Sequence, residues 1–269
     1  MSEEDAIVKV EGAVGVITFN RPNALNALSG DMTTILRETL DKWKMDSNIG
    51  AVVLTGNGRA FCAGGDVSSM AKGSEIGGGA PEVTVEQKID LLRFGQEVAY
   101  TLHAMPKPTI AAVNGFAVGA GLGLATSCDL RIASDKSKYG TAYAKVGYGG
   151  DWGTTWQVTQ LVGEAKAKEL FFLAEIITAE EAHRIGLVNR VVPHDDLMES
   201  TMEIANRLAN GARISIRYMK ENINLAVRQD FRTILDREGM THIRCGETAD
   251  HKEGALAFVE KRDPVFTGR

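Results

Sequence analysis

Cysteine is scarce in this chain: three residues among 269, at positions 62, 128 and 245. Their wide spacing, with no CxxC or CxxH cluster, excludes a disulfide framework and gives no zinc signature, so no metal is expected. Six prolines and 6% aromatic residues exclude collagen-like and prion-like compositions. Positive charge is outweighed, 30 Lys+Arg against 35 Asp+Glu for a formal net charge of −5. That balance argues against a nucleic-acid binder held by bulk charge. No run reaches the ~18 uninterrupted apolar residues of a membrane span; the stretch 109–124 is broken by Asn114 and glycines. The opening Met1-Ser-Glu-Glu-Asp5 is acidic where a secretory signal needs a basic segment. The expectation is a cytoplasmic protein with neither nucleic acid nor membrane as partner.

Glycine is what the chain has in excess. Its 29 residues are about 11% of the sequence against a usual ~7%. With 44% hydrophobic and 24% charged residues, the rest is ordinary for a globular chain of one large or two small domains. Short apolar runs at 7–10, 14–20, 50–55, 109–113, 129–133 and 187–192 predict strands. Apolar residues at Met32, Ile35, Leu36, Leu40 and Trp43 predict a helix over 31–44; further helices are expected over 86–104, from near Gly121, and over 154–161. Residues 56–66 form a glycine-rich connection, and 71–86, with four glycines and no periodicity, a mobile surface loop. Thr178-Ala-Glu-Glu181 and Asp250-His-Lys-Glu253 have capping-box spacing. From Asp195 onward the pattern is helical. Strand–helix alternation followed by helices predicts an α/β core over 1–194 and a C-terminal helical subdomain over 195–269.

Two glycine turns follow apolar strands, Ala63-Gly64-Gly65 and Gly119-Ala120-Gly121. Neither Gly56-x-Gly58 nor Gly119-x-Gly121 fits a dinucleotide fingerprint, because Phe61 and Leu124 stand where the third glycine belongs, and there is no phosphate-loop Gly-Lys-Ser/Thr. Small residues allow tight strand–helix packing; they equally allow a ligand oxygen to reach backbone N–H groups. Spacing alone leaves both readings open. His103, His183, His194, His242 and His251 are scattered and suit surface or capping roles. Asp129 is expected to be structural, and Asp66 either caps a helix or meets a polar ligand. Asp151 lies in Gly147-Tyr-Gly-Gly-Asp-Trp-Gly153, just before a helix. It is either an N-cap or a carboxylate among Tyr143, Tyr148 and Trp152, where desolvation would raise its pKa and suit it to act as base or nucleophile.

Gly58-Arg-Ala-Phe-Cys-Ala-Gly-Gly-Asp66 and Pro106-Lys-Pro-Thr-Ile-Ala-Ala-Val-Asn-Gly115, continuing through Gly119-Ala-Gly121 to Cys128-Asp129, resemble the crotonase, or enoyl-CoA hydratase/isomerase, superfamily. Asn20-Arg-Pro22, Asn26-Ala27, Gly186-Leu-Val-Asn189 and the ending Glu253-Gly…Phe258…Lys261-Arg262 match in the same order. The resemblance implies a spiral of ββα units with a C-terminal helical part used for trimers or hexamers. It implies an acyl-CoA substrate whose thioester carbonyl is held by the Gly65 and Ala120 N–H groups, with no cofactor beyond the coenzyme A of the substrate. Coenzyme A would lie along Ala24, Leu25, Ala27, Ala63 and Asp66, with Phe258 and Lys261 reaching across from a neighbouring copy. The acyl pocket would be shaped by Tyr143, Tyr148 and Trp152.

Hydratases of this family carry two glutamates at positions matching Gly123 and Tyr143 here. The Asp151 segment instead resembles the isomerase branch, most closely the ring-1,2-epoxyphenylacetyl-CoA isomerase type, though Gly150 stands where that type has proline. The expected activity is isomerisation of a CoA thioester with Asp151 as single acid/base. The alternatives are hydrolysis or dehalogenation of an aromatic acyl-CoA through an aspartyl intermediate, hydration, and a non-catalytic binding protein of the same fold. For the dehalogenase reading, the family's catalytic histidine falls near Tyr100, with His103 three residues away.

Overall fold

The computed structural model describes residues 4–66 and 83–269. Of the loop expected at 71–86, residues 71–82 lie outside this range, and a helix already begins at Val85. Two sheets organise the described residues. The first contains β1 (Ala6–Glu11), β2 (Val14–Phe19), β3 (Ala51–Gly56), β5 (Thr109–Val113), β7 (Leu130–Ser134) and β10 (Arg190–Val192), in the order β1-β2-β3-β5-β7-β10. β1 and β2 form an antiparallel hairpin, and every later pairing is parallel. The second sheet runs β4 (Ala60–Cys62), β6 (Phe116–Val118), β8 (Lys138–Gly140), β9 (Ile177–Thr178).

Each turn of the chain gives one strand to each sheet: β3 then β4, β5 then β6, β7 then β8. The first two pairs are followed by α1's successors, α2 (Val85–Ala104) and α3 (Ala120–Ser127), where α1 is Gly30–Met45. This is the expected spiral of ββα units. The glycine-rich connection 56–66 is therefore not all loop, because β4 interrupts it.

The apolar runs have a two-sided explanation. Ile17, Phe19, Val52, Leu54, Ala111 and Val113 face a core shared with α1 and α2. Their alternating neighbours Val14, Val16, Ala51, Val53, Ile110 and Ala112 pack against Leu197, Ala205 and Ala209 of α8 (Leu197–Ala209). Strands buried on both faces lose the polar alternation of a surface sheet and read as continuous hydrophobic runs. Between α3 and α8 lie α4 (Tyr143–Val146), α5 (Thr154–Val162), α6 (Glu164–Leu173) and α7 (Ala179–Arg184). After α8 come α9 (Arg213–Ala226), α10 (Phe231–Gly246) and α11 (Ala249–Glu260).

Capping differs in detail from the sequence reading. Thr178 does cap α7 by accepting from Glu181 N, but the Glu181 carboxylate pairs with Arg184 and Lys166 instead of closing the box. The N-cap of α11 is Thr248, not Asp250. Asp250 is buried in the first turn, where its carboxylate accepts from the N–H groups of Thr267 and Gly268 and ties down the C-terminal tail.

Asp129 is structural, as expected. Its carboxylate accepts from Thr109 N at 2.8 Å and pairs at 2.8 Å with the buried Lys220 of α9. Lys220 spends its other two protons on the carbonyls of Leu102 and Lys107, both at 3.0 Å. Removing one member of such a pair leaves the other charge and its acceptors uncompensated. Lys220→Met is expected to lower unfolding stability by about 3 kcal/mol, measured by urea titration.

Candidate active site

The turns that leave β4, β6 and β8 emerge from the C-terminal ends of adjacent parallel strands, the edge where open α/β sheets place their ligands. The first turn is anchored from the side. Ala63 N donates to Leu25 O at 3.0 Å and Leu28 N to Gly64 O at 2.8 Å. Asn26 holds the far end of the same connection, with Nδ2 on the Ala60 carbonyl at 2.7 Å, while Arg21 donates to Ala27 O at 2.6 Å. Ala24, Leu25 and Ala27 are thus brought alongside Ala63 and Gly64, and Arg21 lies 4.0 Å from Asp66. Leu25 and Asn26 both take left-handed φ, 52° and 55°, which turns this strip of backbone toward the β4 turn.

Beneath the turn, Gly64 N points at the sulfur of the buried Cys62 at 3.4 Å. Burial pushes the Cys62 thiol up to about 12.

The second turn meets the first. Gly119 N donates to Gly140 O, and Ala120 is the first residue of α3, so its N–H has no acceptor within the helix. Among the described residues, neither the Gly65 nor the Ala120 N–H has a hydrogen-bond acceptor. Gly64 sits between them at φ +85°, and a Cβ there would lie 2.7 Å from Val118 O and 3.1 Å from Ala120 N. Two unspent backbone donors thus stand on turns that touch each other.

The third turn carries Asp151. The helix that follows is capped by Gly153, not by Asp151, whose carboxylate is left for other use. Its Oδ1 accepts from the Tyr143 hydroxyl at 2.7 Å. Thr154 N and Oγ1 both donate to the Asp151 carbonyl, at 3.0 and 2.8 Å. Partial burial raises the pKa of Asp151, and the Tyr143 hydrogen bond opposes that rise in part. Burial and the neighbouring Asp151 charge push the Tyr143 phenol up, so it remains a donor.

Gly123 packs directly against this loop. A Cβ on Gly123 would lie 2.5 Å from Thr154 Oγ1 and 2.8 Å from the Trp152 carbonyl oxygen. The room a side chain at 123 would need is filled by the segment that presents Asp151.

The three aromatic residues separate. Tyr143 is buried and stacks on Phe171, with ring centroids 5.8 Å apart. Trp152 is buried in the main core. Tyr148 is 46% exposed, on the outer side of the loop. Phe258 is 85% exposed on α11, and Lys261 closes that helix at φ +57°. His103 packs edge-on against Trp156 at 5.3 Å, and burial lowers its pKa. His194 meets Ser134 Oγ at 2.9 Å, a side-chain contact in place of the surface or capping role expected of it. No group of three His, Cys, Asp or Glu among the described residues is arranged to hold a metal ion, and no helix among them is long and apolar enough to cross a membrane.

Two partners of the loop escaped the sequence reading. Thr154 was hidden as an ordinary first-turn residue. Gln96 of α2 accepts from Trp152 N at 2.9 Å across 56 positions of chain. The one local hint was its neighbour Gly95, since glycine inside a helix costs about 1 kcal/mol against alanine and usually marks close packing. A Cβ at Gly95 would meet the Trp152 ring at 3.4 Å.

Comparison with known proteins places this geometry in context. A family model described as enoyl-CoA hydratase/isomerase matches residues 9–269. The chain is 40% identical over 263 residues to a short-chain-enoyl-CoA hydratase of Clostridium acetobutylicum, covering 97% of each chain. It is 36% identical over 260 residues to the 1,2-epoxyphenylacetyl-CoA isomerase of Escherichia coli, again 97% of each. The crystal structure of an enoyl-CoA hydratase from Bacillus anthracis superposes with a TM-score of 0.90 at 32% identity, covering 98% of this chain and 100% of that one.

Proposed function

The chain belongs to the enoyl-CoA hydratase/isomerase family, and from that premise we propose that it is a cytoplasmic CoA-thioester isomerase with Asp151 as its single acid/base. Asp151 takes a proton from the carbon next to the thioester carbonyl. The electron pair moves onto the carbonyl oxygen, where the Gly65 and Ala120 N–H groups hold the enolate. The protonated carboxyl then returns the same proton to another carbon of the skeleton. No atom is gained or lost and no redox partner is needed. Tyr143 keeps the carboxylate ionised between turnovers by donating to it.

The observation that carries this reading is the occupied space around Gly123 together with the Tyr143–Asp151 bond. Both positions that would hold a water between carboxylates are committed elsewhere. Ala24, Leu25, Ala27, Ala63 and Asp66 are the proposed coenzyme A strip. Exposed apolar side chains on the last helices, such as Phe231 at 78% and Phe258 at 85%, support assembly into a trimer or hexamer. In such an assembly Phe258 and Lys261 would complete the coenzyme site of a neighbour.

Hydration is the second reading, favoured by the 40%-identical relative that is named a hydratase. Products separate the two. When 2-enoyl, 3-enoyl and ring-epoxide CoA thioesters are incubated and analysed by mass spectrometry and NMR, a product of unchanged mass supports isomerisation. Gain of one water on a 2-enoyl thioester, with no isomerisation of any, overturns it. Heavy-oxygen label in Asp151 after a single turnover would instead identify an aspartyl intermediate.

The pH dependence follows from the site. Asp151 must be ionised to accept a proton, and its pKa is raised, so kcat/KM falls with decreasing pH through a value above the usual carboxylate range. Tyr143→Phe removes the hydrogen bond that holds this pKa down. The acid limb of the Tyr143→Phe profile is expected to lie at higher pH than that of the wild type, measured on any thioester turned over by both.

A further inference from the structure

We infer that Gln96 is a positioning residue for Asp151, its side-chain carbonyl holding the Trp152 N–H and so fixing the direction in which the preceding carboxylate is presented. The inference rests on the reading of Asp151 as acid/base. Asp151 lies in a segment, 147–153, that contains four glycines and no regular secondary structure. The hydrogen bonds to Asp151 come from nearby in sequence, from Tyr143 and Thr154. These come from α4 and α5, the two helices that flank the segment. The bond from Trp152 N to Gln96 is different in kind, because it anchors the backbone next to Asp151 to a 20-residue helix of the core.

The anchored residue needs holding. Trp152 has φ +50°, a left-handed conformation that is costly for a bulky side chain and persists only where its surroundings impose it. Two consecutive residues of α2 supply that constraint. Gly95 packs beside the indole, which is 6% exposed, and Gln96 accepts from the N–H. The amide is also the right chemical choice. A carboxylate at 96 would accept the same hydrogen bond but place a second negative charge one residue from Asp151, disfavouring its ionisation. Leucine would fill a similar volume and accept nothing.

A shuttle between two carbons needs the carboxylate within reach of both, and small displacements of a catalytic group are expensive. The test uses two readouts, turnover of the best thioester in the panel above and α-proton exchange of phenylacetyl-CoA in deuterated water. Exchange needs only the base and the oxyanion donors. Gln96→Leu is expected to slow both about 10- to 100-fold with KM changed less than about twofold. Gln96→Glu, which keeps the acceptor, is expected to recover most of the rate, with an acid limb moved to higher pH. Asp151→Asn is measured in parallel. If it exchanges at the wild-type rate, the acid/base reading fails and the role of Gln96 fails with it. If it is silent, then Gln96→Leu at the wild-type rate, or Gln96→Glu as slow as Gln96→Leu, overturns the positioning role alone.

Discussion

Asp151→Asn is expected to lose turnover by about a thousandfold or more, the range for removing a positioned general base, while binding of acyl-CoA stays close to normal. The amide has nearly the shape of the carboxylate and can still accept from Tyr143, so the loop is retained and the proton acceptor is gone. The measurement is kcat on the preferred thioester beside Kd for a saturated acyl-CoA. A stability change of the opposite sense should accompany the loss. Because the folded-state pKa of Asp151 is raised, the folded state gains from protonation. That gain is fully present below the unfolded-state pKa and is lost as pH rises through the folded-state value. At pH 7 the ionised wild-type carboxylate therefore carries a cost that asparagine does not. Asp151→Asn should melt above the wild type at pH 7, with the difference shrinking toward pH 4. An inactive variant that is also less stable at pH 7 would point to a disordered loop.

The second large effect is expected from a single methyl group. Gly64→Ala places a Cβ 2.7 Å from Val118 O and 3.1 Å from Ala120 N, at a φ of +85°. The left-handed conformation alone costs about 1–2 kcal/mol for a residue with a Cβ, and the close contacts force the β4 and β6 turns apart. Gly65 and Ala120 then no longer present their N–H groups to one oxygen. Loss of one oxyanion donor typically lowers kcat by about 10²–10³-fold, and Gly64→Ala is expected in that range. The diagnostic is its combination with Asp151→Asn: if both act on the same enolate, the double variant falls far short of the product of the two losses.

The central strands of the first sheet were readable from sequence because they are buried on both faces. The runs at 14–20, 50–55 and 109–113 match β2, β3 and β5 to within a residue. The second sheet was not. Its members β4, β6, β8 and β9 are two or three residues long, so no window is long enough to show a period. Yet those short strands are what bring the Gly65 and Ala120 turns into contact.

Legibility of the candidate site divides the same way. Local signals marked the glycine turns and Asp151, and left open whether Asp151 was a helix cap. Only the three-dimensional arrangement decides that, by giving the cap to Gly153 and the carboxylate to Tyr143. Gln96 carries no local signal beyond the in-helix glycine beside it, because its role depends on a residue 56 positions away. Capping boxes proved weak evidence where a competing partner was near: Arg184 took Glu181, and the C-terminal tail took Asp250.

Cys62 has a consequence for the lifetime of the protein in contact with its proposed substrates. An α,β-unsaturated thioester is an electrophile toward thiolate at its β-carbon, and the Cys62 sulfur lies within 3.4 Å of Gly64 N in the β4 turn. Thiolate, not thiol, is the attacking species. With its pKa pushed up to about 12 by burial, Cys62 is almost wholly protonated at neutral pH and walled off by the same turn. An alkene bound at the proposed site would thus face a protonated, buried sulfur in place of a thiolate.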